Sequence, residues 1–169
     1  MKFTTADLCD EFGAAVQVVE PIFRDLGGLS RFAGEIETVR VFEDNALVGQ
    51  AVEEPGRGRV LVVDGGGSLR TALVGGRLAA LAHKNGWAGL VINGCVRDSA
   101  EIRAIPLGIR ALNTAPMRSG KSGLGERGRE VRFAGATFSP GEFLYADEDG
   151  MLVAEKRLAG GAQSKRPVE

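Results

Sequence analysis

Two short stretches hold the residue types from which chemistry could be built. One is Gly75-Gly76-Arg77-Leu78; the other is Arg97-Asp98, with Glu101 following. Arginine presents a planar fork that matches a carboxylate. Aspartate presents a hard oxygen suited to Mg²⁺ or Mn²⁺. Glycines at the start of a helix expose backbone N–H groups, which suit a carboxylate or an enolate oxygen. Each signal also has a plain structural use: an Arg-Asp pair can be a surface ion pair or cap, and paired glycines can serve close packing against a strand. A third stretch, Asp64-Gly65-Gly66-Gly67, ends an apolar run and could expose N–H groups to an anion. It lacks the later glycine of a dinucleotide fingerprint, and Asn93 stands where a ribose-binding acid would be. Small residues for a tight turn, or a turn for a small carboxylate, remain its two readings.

These residues need elements to position them. Val60–Val63 is fully apolar and predicts a strand buried on both faces. Leu73, Leu78, Leu81 and Ala82 give residues 72–86 a helical apolar face, with Asn85-Gly86 as its stop, although the paired glycines place the helix proper from near Arg77. Ala88–Ile92 predicts a second buried strand, Asn93-Gly94 a turn, and Val96–Arg103 a short helix or turn. The result is a β-α-β unit with Gly75–Leu78 at one turn and Arg97-Asp98 at another, where α/β folds usually place ligands. Around it, Thr5 caps an amphipathic helix bearing Leu8 and Phe12. Phe32–Phe42 alternates as a half-buried strand, and 46–52 forms a short helix. Further strands are expected within 106–112 and 131–138, and 143–145 with 151–154 form a hairpin around Asp147-Glu148-Asp149-Gly150. Residues 117–129 read as a basic, glycine-rich loop. Residues 1–158 form one domain and 159–169 a flexible tail. Strands outnumber helices, which predicts a mixed α/β domain: a sheet sandwich with helices on one side.

Composition narrows the functional classes. The chain has 169 residues, 44% hydrophobic, with a net charge of −1. That suits one core-forming domain and lacks the strongly basic footprint of a nucleic-acid binder. No apolar run is long enough for a membrane helix, and the polar start is not a secretion signal, so a cytoplasmic location is expected. Cys9 and Cys95 lack metal or redox spacing and read as reduced thiols. His83, the single histidine, falls in the helical segment, which argues against a histidine-based zinc site or a Ser-His-Asp triad. Lys84 and Lys121 lie in no apolar setting that would prepare a Schiff base.

The segments TADLCDEF, VVEPIFRDLGG, FAGEIETVRVFEDNALV, GRGRVLVVDGGGSLRTALVGG, GWAGLVINGCVRD, LGIRALNTAP, GERGREV and GATFSPGEFLYADEDGMLV occur in this order between Thr5 and Val153. Together they resemble the RraA-like family, which includes the regulator of ribonuclease E activity A and the class II 4-hydroxy-4-methyl-2-oxoglutarate aldolases. The resemblance implies a β/β/α swivelling-type sandwich, a homotrimer with sites at subunit interfaces, and a divalent-metal pyruvate aldolase with secondary oxaloacetate decarboxylase activity. By position, Gly75, Gly76, Arg77 and Leu78 would form the substrate-binding turn, Arg97 would bind the oxo-acid, and Asp98 would ligate Mg²⁺ or Mn²⁺. The regulator branch implies a second role, binding and inhibiting ribonuclease E. The aldolases resemble D-x20-R-D-x2-E/D. Here Arg97, Asp98 and Glu101 are in place, but the leading acid falls on Gly76. Asp64, Glu126, or an acid such as Asp147 from a neighbouring subunit, are the candidates to replace it.

Overall fold

The computed structural model describes residues 2–159, so the expected tail beyond residue 159 lies outside the described residues. Helices are α1 (Thr5–Phe12), α2 (Ala46–Glu53), α3 (Gly76–Lys84) and α4 (Ser99–Arg103). Strands are β1 (Val16–Val18), β2 (Arg24–Asp25), β3 (Phe32–Arg40), β4 (Val60–Asp64), β5 (Ala72–Val74) and β6 (Gly89–Val96), followed by β7 (Gly108–Thr114), β8 (Glu126–Arg127), β9 (Val131–Phe133), β10 (Ala136–Phe138), β11 (Phe143–Asp147) and β12 (Gly150–Ala154).

One mixed sheet runs β1-β12-β11-β3-β4-β6-β7-β2, with β5 also pairing with β6 and β8 with β3. Its centre, β3-β4-β6-β7, is parallel. Val60, Leu61, Val62 and Val63 have no exposed surface, as expected of a strand covered on both faces. Each such side chain contributes about 1.5–3 kcal/mol by leaving water. On one face, α2 and α3 pack Val48, Val52, Leu78, Ala79 and Ala82 against Leu61, Val63, Leu90 and Ile92. On the other, the β9-β10 hairpin lays Val131 and Phe138 over Val60, Val62 and Val91. The fold is therefore the expected mixed α/β arrangement, with layers in the order hairpin, sheet, helices.

Several local expectations need correction. Thr4, not Thr5, caps α1, accepting a hydrogen bond from the Asp7 N–H at 3.1 Å. Thr5 is buried and donates through its N–H and hydroxyl to Asp147, at 2.6 and 2.7 Å. That carboxylate belongs to the expected hairpin turn but is only 3% exposed and anchors α1. Ala72–Val74 is a strand rather than the start of a helix, because it pairs in parallel with the end of β6 and is buried throughout. Asn93-Gly94 does not turn: β6 continues to Val96, with an irregularity in its pairing to β7 between Ile92 and Cys95. Cys95 is fully buried, as a small core residue should be.

Candidate active site

The two glycine- and arginine-bearing turns meet because β5 and β6 end side by side. Val74 is in register with Val96, and the Arg97 N–H donates to the Val74 carbonyl at 2.9 Å. The next residues on each side, Gly75-Gly76 and Arg97-Asp98, are therefore neighbours at the carboxyl edge of the parallel strands. The Gly76 N–H donates to Asp98 Oδ2 at 2.9 Å. This bond joins the first turn of α3 to the residue that opens α4.

The Arg97-Asp98 turn requires unusual backbone, and the Gly75-Gly76 turn requires small residues. Asp98 sits in the left-handed region at φ 59°, ψ 43°. Aspartate tolerates that region better than most residues, and such strain is characteristic of functional turns. Gly75 leaves room for its partners: a Cβ there would lie 2.8 Å from Asp98 Oδ2 and 3.4 Å from Arg97 Cγ. Gly76 is more constrained still. A Cβ there would overlap the Glu101 carboxyl group, with Oε1 at 2.5 Å and the other atoms of the group closer. Gly76 is buried, while Glu101 is exposed.

Of the residues expected at the site, Gly75, Gly76, Arg97 and Asp98 come together. Arg97 is half-buried and reaches the Pro116 carbonyl at 3.4 Å through Nη1. Arg77 is exposed on α3. The Leu78 side chain is 5% exposed and belongs to the core, so its share of the site is its backbone N–H alone. The first-turn N–H groups of a helix lack intrahelical acceptors; Asp98 takes that of Gly76. The acids expected to replace a carboxylate at position 76 are engaged elsewhere. Asp64 accepts from the Gly66 N–H and Asn93 Nδ2, Glu126 pairs with Arg40, and Asp147 holds Thr5. The acid actually placed at Gly76 is Glu101, reached from α4. The signal in the sequence that points to it is a glycine at position 76 where the pattern expects an acid, together with the acid at position 101 that the same pattern keeps.

A loop after β7 walls this edge. Asp44 is 4% exposed and binds that loop through the N–H and hydroxyl of Ser122, both at 2.5 Å, and the Gly123 N–H at 3.2 Å. Burial pushes the Asp44 carboxyl upward, but these donors and the Ala46 N–H outweigh it and hold it below the usual aspartate range. The Asp64–Gly67 turn leads into β5 rather than into a helix, so the strand–turn–helix order in which a helix N-terminus receives an anion is not formed here.

As to a divalent cation, the described residues contain no group of three or more His, Cys, Asp or Glu side chains placed to hold one. They do bring the Asp98 and Glu101 carboxyl groups both against Gly76. One or two carboxylates, completed by water and substrate oxygens, is the usual protein share for Mg²⁺. The donor set fits.

Comparison with known proteins decides the family. The RraA-like pattern, described as Aldolase/RraA, matches residues 5–153. The chain belongs to the RraA-like family. A relative from Alkalilimnicola ehrlichii named "Putative 4-hydroxy-4-methyl-2-oxoglutarate aldolase" is 58% identical over 94% of this chain and 98% of its own. One of the same name from Dechloromonas aromatica is 56% identical over 94% and 99%. Among solved structures, the RNA-processing inhibitor RraA from Thermus thermophilis superposes with a TM-score of 0.91 at 48% identity, covering 95% of this chain and 97% of that one. A Geobacillus kaustophilus chain described as an S-adenosylmethionine:2-dimethylmenaquinone methyltransferase superposes at 0.89 with 51% identity, covering 92% and 97%. The RraA-like fold is thus shared by chains carrying three different functional names, and the site chemistry has to choose among them. No helix among the described residues is long and apolar enough to cross a membrane.

Proposed function

We propose that this RraA-like protein is a divalent-metal-dependent 4-hydroxy-4-methyl-2-oxoglutarate aldolase that also decarboxylates oxaloacetate. The observation that carries the reading is the Gly76 N–H···Asp98 bond, which fixes an aspartate and an adjacent arginine against the start of α3. Cleavage of the hydroxy-oxo-acid and decarboxylation of oxaloacetate pose the same problem: negative charge builds on a pyruvate enolate.

Asp98 and Glu101 would hold the Mg²⁺ or Mn²⁺ ion, directly or through water. When bound, the ion supplies Lewis-acid polarisation of the oxo-acid carbonyl. Arg97 offers two parallel N–H donors to the oxo-acid carboxylate and orients it. The Arg77 and Leu78 N–H groups at the start of α3 favour negative charge developing nearby. Gly75 keeps the floor low enough for a small substrate to approach the backbone.

Exposed apolar residues at the same edge support a homotrimer whose sites lie between subunits. Phe42, Leu69, Met117 and Leu124 are 57%, 59%, 63% and 73% exposed. In the chain they follow the carboxyl ends of β3, β4 and β7, the end of the parallel strands at which the proposed site lies. A second copy would cover them and close the site. A cytoplasmic location agrees with the two unpaired cysteines. The assay is pyruvate release from both substrates with Mg²⁺ and then with EDTA. Metal-dependent turnover that Asp98→Ala abolishes is expected; turnover indifferent to both treatments would remove the reading.

A second reading has its own support in the likeness to the Thermus RNA-processing inhibitor. In that reading the protein binds ribonuclease E and inhibits it without catalysis. A pull-down with the ribonuclease scaffold region tests it, and absence of binding at micromolar concentration counts against it.

A further inference from the structure

Two neighbouring acids in the link between β3 and α2 grip different loops. Glu43 stands in the left-handed region at φ 51°. Its Oε1 accepts from the Ser68 hydroxyl at 2.7 Å and from Arg70 Nε at 2.5 Å, which ties it to the loop entering β5. A non-glycine residue keeps such backbone only where its surroundings fix it. The next side chain, Asp44, is buried and holds the loop after β7. Its Oδ2 takes both donors of Ser122, and its Oδ1 takes the Gly123 N–H and the Ala46 N–H. Backbone bonds complete the fastening: the Asn45 N–H donates to the Gly120 carbonyl at 3.0 Å, and the Gly120 N–H to the Glu43 carbonyl at 2.9 Å. Without the carboxylate, three loop donors would be left unpaired.

The near end of the same loop lies on the site. The Ala115 N–H donates to the Val96 carbonyl at 2.9 Å, and the Ala72 N–H to the Met117 carbonyl at 2.8 Å. The Ser119 hydroxyl donates to the Ala72 carbonyl at 2.8 Å. The loop therefore spans β5 and β6, the strands that lead into Gly75-Gly76 and Arg97-Asp98. Between these fixed points stands Pro116, whose carbonyl is the one hydrogen-bond acceptor of the Arg97 side chain among the described residues, at 3.4 Å from Nη1. A bond of that length is close to the limit, so a shift of a few tenths of an ångström in the loop removes it. Resting on the aldolase reading above, we propose that Asp44 is a positioning residue of the site: it fastens residues 120–123 so that the Pro116 carbonyl stays against Arg97 and the guanidinium keeps its orientation toward the oxo-acid. Asp44 touches no reacting atom and acts through Arg97. Its loss releases the fork that captures the oxo-acid carboxylate, while Asp98 keeps its bond to the Gly76 N–H.

The test uses the full chain with Mg²⁺ and oxaloacetate. Asp44→Asn keeps the size of the side chain and an oxygen for the Ala46 and Gly123 N–H groups, but sets an amide NH₂ against the Ser122 N–H. Amide exchange across 119–124, read by hydrogen–deuterium mass spectrometry, should speed up. KM for oxaloacetate should rise by about tenfold, no more than the loss expected when the Arg97 fork itself is replaced, while kcat stays within about twofold. With Arg97→Lys already present, Asp44→Asn should change KM by less than about twofold, because the group it acts through is gone. Ser122→Ala removes fewer bonds and serves if Asp44→Asn does not fold: KM should move the same way by a smaller factor, and Ser122→Thr, which returns the hydroxyl, should restore it. Faster exchange with unchanged KM, or equal KM shifts with and without Arg97→Lys, would overturn the proposal and leave the aldolase reading standing. Unchanged exchange would overturn it as well, since Asp44 would then not hold the loop. If wild type releases no Mg²⁺-dependent pyruvate, both fall.

Discussion

Gly76→Ala should leave the protein as stable as before while disabling its hydroxy-acid chemistry. The backbone at 76 is not left-handed, so alanine can adopt it. Alanine in place of glycine at a compatible helical position stabilises by about 0.4–1 kcal/mol. Against this, the new Cβ takes the place of the Glu101 carboxylate. That group is the far end of a flexible, exposed side chain with no polar partner among the described residues, so it can rotate into water. Changes at such surface groups cost within about 0.5 kcal/mol. The net effect lies within about 1 kcal/mol of zero, or about 2–4 °C in Tm for a chain of this size. Cleavage, having lost one of the two carboxylates proposed to hold the metal, should fall by about 100-fold. Calorimetry gives the first quantity and steady-state pyruvate release the second. A destabilisation of several kcal/mol would mean Glu101 cannot yield, and the reasoning about its freedom would be wrong. Unchanged cleavage would mean its position is irrelevant.

Other perturbations separate the remaining parts. Asp98→Asn keeps an acceptor for the Gly76 N–H and a residue tolerant of left-handed backbone, so Tm should hold while Mg²⁺-stimulated turnover falls by about 100-fold or more; a large drop in Tm would contradict this. Arg97→Lys replaces a fork by a point charge, and kcat/KM for the oxo-acid should fall by at least tenfold without loss of fold. Gly108→Ala would drive a Cβ into the Phe32 ring, which is 5% exposed and also sits against Gly89, so a cost of about 1–3 kcal/mol is expected. Phe32→Leu in the same chain should return part of it. Asp147 sets an acid limit. Burial raises its carboxyl, but the Thr5 hydroxyl and N–H and the Asp149 N–H outweigh that and hold it below its ordinary value. A depressed folded-state value gives stability that is fully present above the unfolded value of about 3.9 and is lost as pH falls below it. Thr5→Ala should shrink that loss in a pH-dependent melt.

The parallel core was legible because its signal is local: four consecutive apolar β-branched and leucine residues at 60–63 can only be a strand covered on both sides. The same logic failed at Ala72–Val74. There the apolar spacing of leucines 73, 78 and 81 imitates a helix, and the strand exists only because the far end of β6 offers it a ladder. That far end was hidden in turn by Asn93-Gly94, which reads as a stop. The chain stays extended through it because Asn93 Nδ2 bonds Asp64 across the sheet. In the site, Arg97 and Asp98 were visible as residue types, and their meeting with Gly75-Gly76 followed from the β-α-β order. The position of Glu101 was not visible. It depends on one left-handed residue that turns α4 back toward α3, and no spacing in the sequence encodes that angle.

The central claim is metal-dependent cleavage of a hydroxy-oxo-acid at the Arg97-Asp98 turn. Its most direct measurement counts pyruvate formed against 4-hydroxy-4-methyl-2-oxoglutarate consumed, by proton NMR, with Mg²⁺ and then with EDTA. The account predicts two pyruvates per substrate molecule with Mg²⁺, and none when EDTA is added or Asp98 is replaced by alanine. Undiminished substrate in the presence of Mg²⁺, or cleavage that survives EDTA, would contradict it.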